Sequence, residues 1–257
     1  MKNSPSLPQR VDYDASDCDY IQYWQGRQYE DEAEKIALRR FLPQQGGIIA
    51  DLGAGFGRLL PLYAERFTKI ILLDLSEKNL SQARLLAENL GLSQVEIKKG
   101  DLYQLPLKTA AIDWAVMVRV MHHLEAPERV LQEVARILRP GGYFILETAN
   151  KCHFKARLRA WWRGEKNFSS SLEPYRQPAA GKEGIFYNFH PRAVEEMLRR
   201  CQLLPQAKLS VSNWRSPWIK KLFPRFILLS TERFFQPLLA RINFGPSLFW
   251  LCQKNDS

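Results

Sequence analysis

Residues 48–61 read IIADLGAGFGRLLP, and this stretch decides the fold of the chain. It opens on an apolar run, which is typical of a parallel strand that is covered on both faces. Glycines then occupy every second position from Gly53 to Gly57, and glycine lets a ligand approach the main chain without meeting a Cβ atom. From Arg58 onward the pattern predicts a helix whose free N–H groups face the ligand. The stretch therefore predicts a strand–turn–helix unit that holds a nucleotide-like cofactor.

The spacing of these glycines discriminates between cofactor classes. The dinucleotide-binding turn of oxidoreductases has the form G-x-G-x-x-G, and its third glycine would fall where this chain has Arg58. Here the form is G-x-G-x-G, with the acidic Asp51 two residues before Gly53. The spacing therefore argues against a bound pyrophosphate.

Two further apolar stretches end in a carboxylate. Residues 69–74 (KIILLD) predict a second buried strand that ends at Asp74, 21 residues after the first glycine, as one helix and one more strand require. Residues 95–101 (VEIKKGD) predict a third strand that ends at Asp101. We expect Asp74 to accept the hydroxyl groups of a ribose, and Asp101 with Leu102 to meet the edge and the face of an adenine.

The remaining elements follow from apolar periodicity and from helix start and stop signals. Further strands are expected at residues 113–118, 143–146, 207–213 and 246–254. Helices are expected at residues 29–42, 76–89, 126–138 and 191–201. The glycines of the RPGG segment, residues 139–142, are expected to stop the helix that precedes them.

In this order and spacing, the motifs resemble those of the class I S-adenosylmethionine-dependent methyltransferases, in particular the group that includes ubiquinone and menaquinone biosynthesis enzymes. The motifs that carry the resemblance are DLGAGFG at 51–57, LLDLS at 72–76, GDLYQLPL at 100–107, DWAVMVRVMHHL at 113–124 and LQEVARILRPGGYFIL at 131–146. The resemblance covers about residues 28–150. It implies an α/β, Rossmann-like fold: a seven-stranded, mostly parallel sheet with helices on both faces and an antiparallel last strand.

The resemblance also implies S-adenosylmethionine as the cofactor and assigns residues to it. Gly53 and Gly55 would line the methionine end, and Arg119 would form the floor of the site. In similar enzymes an N-terminal segment closes over the methionine moiety, so Tyr20, Arg27 and Tyr29 are candidates there, and we retain only Arg27. The cofactor-binding set is then Arg27, Asp51, Gly53, Ala54, Gly55, Asp74, Leu75, Asp101, Leu102 and Arg119.

We expect a single methyltransferase domain over residues 1–257, interrupted by insertions. Its expected parts are N-terminal cap helices (1–45), a cofactor-binding core (46–150), a lid insertion (151–190) and a C-terminal completion of the sheet (191–257) that contains a helical insertion (214–245). Long connections of this kind are often active-site lids. Prolines at 224 and 237 are expected to break the second insertion into separate helices.

No catalytic constellation stands out, as is usual for this chemistry. The sulfonium is already an activated methyl donor, so the protein must align the acceptor, exclude water and sometimes remove a proton. His122 and His123 follow the fourth expected strand, and because adjacent residues point in different directions, at most one faces the acceptor. A histidine bonded to a neighbouring backbone group is the commoner finding at such positions. The catalytic residue is therefore left unknown, with His123 as the one to test.

Positive charge and tryptophan are concentrated in the C-terminal part of the chain. Residues 1–149 carry 18 Lys+Arg and 20 Asp+Glu, a net charge of −2, whereas residues 150–257 carry 19 and 7, a net charge of +12. Five of the seven tryptophans lie in this second part. This composition suits an anionic lipid surface, a nucleic acid or an acidic amphiphilic substrate, although basic stems also cover apolar surface on ordinary solvated helices.

Three classes of function remain open. The leading one is methyl transfer to a small-molecule acceptor, lipophilic or acidic, with a possible peripheral contact to an anionic membrane. The second is methylation of RNA or another nucleic acid, which the charge favours, although the chain lacks an Asn-Pro-Pro-Tyr-like motif and a Pro-Cys nucleophile. The third is a non-catalytic cofactor-binding module or an oxidoreductase, which the acidic residues Asp51, Asp74 and Asp101 disfavour.

Metals and membrane spans have no support in the sequence. The four cysteines form no C-x-x-C pair and no cluster with the four histidines, so no metal site is expected. The first residues lack an apolar signal core, and no apolar run reaches the length of a membrane span. We therefore expect a protein that is cytoplasmic, or cytoplasmic with a peripheral membrane contact.

Overall fold

The computed structural model describes residues 23–178 and 185–255. Its strands are, in chain order, β1 (Gly46–Leu52), β2 (Phe67–Asp74), β3 (Val95–Lys99), β4 (Ile112–Met117), β5 (Leu138–Ala149), β6 (Tyr175–Pro178), β7 (Ile185–Asn188), β8 (Leu203–Val211) and β9 (Ser247–Lys254). Its helices are α1 (Gln28–Phe41), α2 (Leu60–Tyr63), α3 (Glu77–Asn89), α4 (Pro127–Ile137), α5 (Phe154–Trp162), α6 (Pro191–Arg200), α7 (Pro217–Leu222) and α8 (Arg225–Ala240).

Seven of these strands form one sheet in the order β3-β2-β1-β4-β5-β9-β8. The pairs from β3 to β5 are parallel, whereas β9 runs antiparallel to both β5 and β8. The expected Rossmann-like fold with an antiparallel last strand is thereby confirmed. The order of the strands switches between β1 and β4: β2 and β3 are added on one side of β1, and β4 and β5 on the other. In open α/β sheets, ligands bind in the crevice at such a switch point.

Helices cover both faces of the sheet because its strands are apolar on both sides. Ile49 and Leu72 belong to the core that α1, α2 and α3 cover, and their neighbours Ala50 and Leu73 belong to the core that α4 and α6 cover. Each core is fully buried at these positions. This continuous apolar character is what a parallel sheet between two helical layers requires.

Several element boundaries follow the expected signals. Ser76 is the N-cap of α3, where its side chain accepts a hydrogen bond from the Asn79 N–H at 3.1 Å. Past the end of the same helix, Gly91 adopts a φ of +65°. The first helix, the fourth strand and the last strand also lie within about two residues of their expected ranges.

Two expected helix boundaries are wrong. The helix expected from Arg58 begins only at Leu60 and is a single turn long, ending at Tyr63. The RPGG glycines do not stop α4. That helix ends at Ile137, and Leu138 already pairs with Ile112 as part of β5, so strand pairing and burial end the helix before the glycines are reached.

The prediction of a break at Pro237 is also wrong, because α8 continues through it. A proline at this position removes the hydrogen bond to the carbonyl of Arg233. Arg40 of α1 supplies the missing donor: its Nη2 atom donates to the Arg233 carbonyl at 2.6 Å. The predicted break at Pro224 is found, since α7 ends before it and α8 begins after it.

The insertion after β5 is not wholly helical. It begins with α5, as expected, but it also contains β6 and β7, which pair antiparallel as a separate two-stranded sheet. No sequence signal identified this pair. The expected division of the chain into a core and two insertions stays a prediction.

Membrane spans and metal clusters were sought across residues 23–178 and 185–255. No helix in these ranges is long and apolar enough to cross a bilayer. Within the same ranges, no three or more His, Cys, Asp or Glu side chains are grouped so as to hold a metal ion.

Candidate active site

A cavity of about 170 Å³ lies at the carboxyl ends of β1, β2, β3 and β4. Each strand contributes the residues that follow it. The lining comprises Asp51, Gly53, Ala54, Gly55, Phe56, Arg58 and Leu59 after or at the end of β1; Asp74, Leu75 and Asn79 after β2; Gly100, Asp101, Leu102 and Tyr103 after β3; Val118, Arg119, Val120, His123 and Leu124 after β4; and Trp24 before α1. We call this the first cavity.

Asp74 holds the glycine turn in place. Its Oδ2 atom accepts the Gly55 N–H at 2.8 Å, and its Oδ1 atom accepts the Ser76 N–H at 2.9 Å. Burial raises the pKa of this carboxyl group, while the backbone donors oppose the shift. The Leu75 N–H and the Asn79 side chain also bond this carboxyl group, so a ligand hydroxyl would compete with these donors for the carboxylate oxygens of Asp74.

The first two glycines of the turn are required for different reasons. Gly53 has a φ of +82°, and a Cβ atom there would clash with Val120 Cγ2. Gly55 has a φ of +55°, but a Cβ atom there would meet nothing within 4 Å. Gly53 is thus needed for the packing of the protein itself, whereas the space beside Gly55 is open to a ligand.

Asp51 is a buried carboxyl group at the end of β1. It accepts a hydrogen bond from the Tyr63 hydroxyl at 3.2 Å. Burial raises its pKa to about 7, although the Tyr63 bond and the charge of Arg58 act in the opposite direction. A cationic ligand group beside Asp51 would favour its ionised form.

Helix α1 is clamped over the cavity by a buried carboxylate. Glu34 is fully buried; its Oε1 atom accepts from Arg119 Nε at 2.7 Å, and its Oε2 atom accepts from Arg58 Nη2 at 2.6 Å. Arg58 also pairs with Asp31, and its guanidinium lies 3.8 Å from the ring centroid of Trp24. The charges of Glu34 and Glu147 raise the pKa of Arg119 against the lowering effect of burial, so this arginine stays charged.

A second and larger cavity, of about 540 Å³, adjoins the first, and Arg119 lies in the wall of both. It is built from the end of β5, from α5, from the β6–β7 pair and from the segment between β8 and α7. Residues that line it include Arg119, His122, Glu147, Asn150, Lys151, His153, Phe154, Lys155, Arg159, Arg163, Glu165, Phe168, Tyr175, Phe186, Trp214, Arg215 and Phe244.

The described lining of this second cavity is strongly basic. It contains six lysine and arginine side chains and only two carboxylates, Glu147 and Glu165. Glu147 accepts hydrogen bonds from the Arg119 N–H at 3.0 Å and from the Ser247 hydroxyl, and Glu165 pairs with Arg163 at 3.9 Å. Because aromatic side chains make up much of the remaining wall, the cavity fits a ligand with an anionic group and an apolar body.

Lys151 ties the first insertion to the sheet. It is buried beside the second cavity, and its Nζ atom donates to the carbonyl oxygens of Ser171 at 2.7 Å and Glu173 at 2.8 Å. Burial lowers the pKa of its amine. The Lys151 amine is therefore one of the groups that position the insertion, together with His190, whose Nε2 atom lies 3.1 Å from the Ser169 carbonyl oxygen.

The two adjacent histidines face different cavities. His123 lines the first cavity and His122 lines the second. The ring of His122 stacks on Phe186 with a centroid distance of 4.1 Å, and its Nδ1 atom has no hydrogen-bond partner among the described residues. Burial, together with the charges of His123 and Arg119, lowers the pKa of His122 well below its usual value, so this imidazole is neutral.

The structure brings nine of the ten residues in the expected cofactor set to the first cavity. The exception is Arg27, which lines neither cavity and stacks on Tyr23 at 4.2 Å from the ring centroid. Trp24, three residues earlier in the chain, lines the first cavity instead of Arg27. Of the other two candidates, Tyr20 lies outside the described residues, and Tyr29 is buried with its hydroxyl donating to Glu232 Oε2 at 2.6 Å.

Sequence reasoning missed several lining residues. Tyr103 directly follows the Asp101-Leu102 motif, so that motif was a usable signal. Trp24 and Arg58 had no such signal, because they meet only when α1 folds over the turn.

Comparison with known proteins agrees with this geometry. A family model described as a methyltransferase domain matches residues 50–146. A probable S-adenosylmethionine-dependent methyltransferase of Mycolicibacterium smegmatis is 26% identical over 217 residues, which is 82% of this chain and 80% of that protein. The phosphatidylethanolamine N-methyltransferase of Cereibacter sphaeroides is 33% identical over 103 residues, which is 40% of this chain and 50% of that protein. The chain spans half the length, or less, of several curated relatives.

Solved structures share the fold at low sequence identity. An S-adenosylmethionine-dependent methyltransferase from Mesorhizobium loti superposes with a TM-score of 0.60 at 21% identity, covering 86% of this chain and 98% of that one. A chain from the complex between the Haloferax volcanii Trm112 methyltransferase activator and a methyltransferase superposes with a TM-score of 0.63 at 20% identity, covering 93% and 98%. Residues 50–146 therefore carry a methyltransferase domain, and the chain is similar to S-adenosylmethionine-dependent methyltransferases in its motifs and its sheet topology.

Proposed function

We propose that this protein transfers a methyl group from S-adenosylmethionine to a small acceptor that has an acidic group and a lipophilic body. The observation that carries the proposal is that Arg119 lies in the walls of both cavities, so that a cofactor in the first would adjoin an acceptor in the second. When bound, S-adenosylmethionine supplies an activated methyl group. The protein then has to align the acceptor with it and exclude water.

The residues of the first cavity fit this cofactor. Asp74 is proposed to accept ribose hydroxyls, one of them in place of the Asn79 side chain. Asp101, Leu102 and Tyr103 are proposed to hold the adenine, with Leu75 beside them. Toward the methionine end we place Asp51, Gly53, Ala54, Gly55 and Arg119, together with Trp24 in place of Arg27.

The residues of the second cavity support the acceptor class. Its excess of lysine and arginine favours an acid, and its aromatic walls favour an apolar body. A neutral His122 could accept a hydrogen bond from the acceptor and orient it, but its lowered pKa makes it a weak base. We propose His122 as a positioning residue, leave the base unassigned, and keep His123 as a position to test.

The proposal treats the whole chain as one domain in which residues 151–190 and 214–245 cover the acceptor. A peripheral contact with an anionic membrane would supply an acceptor of this kind. The curated relatives carry names with diverse acceptors, among them phosphatidylethanolamine, dimethylglycine and a tRNA nucleoside. Similarity therefore does not select the acceptor, and the proposal rests on the lining of the second cavity.

Substitution of Asp74 tests the cofactor site. Charge-assisted hydrogen bonds contribute about 1.5–3 kcal/mol each, so we expect Asp74→Ala to weaken S-adenosylmethionine binding by about tenfold or more in calorimetric titration. Asp74→Asn is the matched control, since it keeps one acceptor oxygen and should lose less. Equal affinities of all three proteins would remove Asp74 from the site.

Matched acceptors test the second cavity. Dodecanoate and dodecanol share an apolar chain and differ in charge, and formation of the demethylated cofactor product reports transfer to either. We expect binding of dodecanoate to exceed that of dodecanol, and Arg159→Ala to reduce the difference. Equal binding of both compounds would contradict the acidic acceptor, and tight, salt-sensitive binding of random-sequence RNA with methylation of it would favour the nucleic-acid alternative.

A further inference from the structure

Large apolar side chains are exposed on the helices beside the second cavity. Trp161 and Trp162 at the end of α5 are 76% and 78% exposed, and Trp218 and Leu222 on α7 are 83% and 74% exposed. Phe226, in the first turn of α8, is 70% exposed. Exposure of this extent at several neighbouring positions marks an interaction surface.

Three of these side chains stand beside residues that line the second cavity. Trp161 and Trp162 stand in the chain between Ala160 and Arg163, both of which line the cavity. Trp218 stands between two further lining residues, Pro217 and Ile219. The start of α5 is joined to the end of the second insertion, because the Phe154 N–H donates to the Phe244 carbonyl at 2.9 Å and the two rings stack. Both helices therefore border one opening.

The same helices carry positive charge without matching acids. Residues 154–163 and 217–228 contain basic residues and no aspartate or glutamate. Lys220 pairs with Glu30 and Arg163 with Glu165. Among the described residues, no carboxylate lies within 4.0 Å of the charged groups of Lys155, Arg157, Arg159, Lys221 or Arg225. These five cations are available to an external anion.

We propose that α5, α7 and the first turn of α8 dock on an anionic lipid bilayer, so that the acceptor enters the second cavity from the membrane. This deepens the proposed function and rests on it for the role of the cavity. Tryptophan beside lysine and arginine is the composition of a membrane interface, where the rings lie at the level of the headgroups and the cations meet anionic lipids. Protein–protein interfaces, by contrast, are depleted in lysine.

Co-sedimentation with vesicles tests the docking. The full chain is mixed with vesicles of phosphatidylcholine alone or with 30 mol% phosphatidylserine. We expect retention on the anionic vesicles, and a reduction on the order of tenfold in the partition coefficient for the pair Trp218→Ala with Leu222→Ala. Leu85→Ala is the matched control for lost apolar area, because Leu85 is exposed on α3, away from the cavity rim. It should leave retention unchanged.

A charge reversal tests the electrostatic part separately. Lys221→Glu should lower retention on anionic vesicles and reduce the dependence of that retention on salt, because fewer cations then face the lipid, whereas Lys108→Glu, at an exposed lysine after β3, should change neither. Absence of retention, equal retention on both vesicle types, or equal effects of the rim and control variants would overturn the docking. Tight RNA binding without lipid retention would overturn it as well.

Cofactor titration of the same variants separates this proposal from the proposed function. If vesicle binding fails while S-adenosylmethionine binds, only the docking is wrong. If S-adenosylmethionine fails to bind while the vesicles retain the chain, the proposed function is wrong and the surface assignment holds.

Discussion

The two cavities are built in different ways although they share a wall. The first is made of turns and carboxylates at the ends of neighbouring parallel strands, where the position of each residue follows from its place after a strand. The second is assembled from segments that the fold brings together from residues 119 to 247. The first kind of site is constrained by the backbone and is general to a cofactor. The second is shaped by side chains of the segments that follow β5 and β8.

Loss of Glu34 should have the largest effect on the two cavities. Glu34 joins helix α1, which lies above the first cavity, to Arg119, which lines both cavities. Glu34→Ala leaves Arg58 and Arg119 without their buried partner, and breaking such a pair typically costs about 3–5 kcal/mol. We expect a loss of this size in the free energy of unfolding, measured by denaturant titration, and weakened cofactor binding.

Glu32→Ala is the matched control for Glu34→Ala. Glu32 forms exposed pairs with Lys35 and Arg39 on the same helix, and we expect a loss below about 1 kcal/mol. If the two variants are equally stable, the buried carboxylate does not clamp the helix, and the shared wall needs another explanation.

Within the first cavity, substitutions of Gly53 and Gly55 compare the protein side of the turn with its ligand side. Gly53→Ala adds a clash with Val120 to an unfavourable backbone angle, for which we expect a loss of about 2–3 kcal/mol in the free energy of unfolding. Gly55→Ala meets open space, so its loss should be nearer 1 kcal/mol and should come from the angle alone.

Cofactor titration of Gly55→Ala then tests whether the open space beside Gly55 is occupied by the ligand. We expect weaker binding in Gly55→Ala than its small loss of stability explains, because the added methyl group occupies space beside the ligand. A variant that binds normally would reduce this glycine to a structural connection.

Substitution of Lys151 tests whether the second cavity can be altered without a change in the first. Lys151→Met removes the donor to two carbonyl groups of the insertion while keeping an apolar stem of similar length. We expect faster proteolysis between residues 164 and 178, a loss of about 1 kcal/mol in the free energy of unfolding, and unchanged cofactor affinity.

Lys155→Met removes an equal charge from the same cavity lining, and none of the described carbonyl groups is recorded as its partner. Faster proteolysis in that variant too would mean that charge, and not the hydrogen bonds of Lys151, holds the insertion. A tenfold loss of cofactor affinity in Lys151→Met would show that the two cavities are not separable.

The sequence was most informative where a residue's role depends on its neighbours in the chain. The sheet, its order of elements and the placement of Asp74 at the first cavity follow from buried strands that end in turns or carboxylates. Arg27 was expected at the first cavity and Trp24 was not, since both lie in one short segment and nothing local identifies which of them faces the cavity. The contact of Glu34 with Arg119 joins residues 85 positions apart, and no pattern of one sequence indicates it.

Proline and glycine signals failed where a distant partner compensated for them. Pro237 lies inside a helix because Arg40 of another helix supplies a donor to the Arg233 carbonyl. The RPGG glycines lie inside a strand because Leu138 is already paired and buried. In each case tertiary contacts outweighed a local preference.

Two buried cysteines lie in different regions of the protein, so the rates at which these regions open can be measured separately. Cys152 and Cys252 are both free thiols, the first at the base of the inserted segment and the second inside the central sheet. Burial raises the pKa of each and so suppresses the thiolate in the closed state. An alkylating reagent therefore reaches Cys152 whenever the segment after β5 opens, but reaches Cys252 only when the central sheet opens. The ratio of the two alkylation rates measures how independently of the sheet the surroundings of the second cavity open.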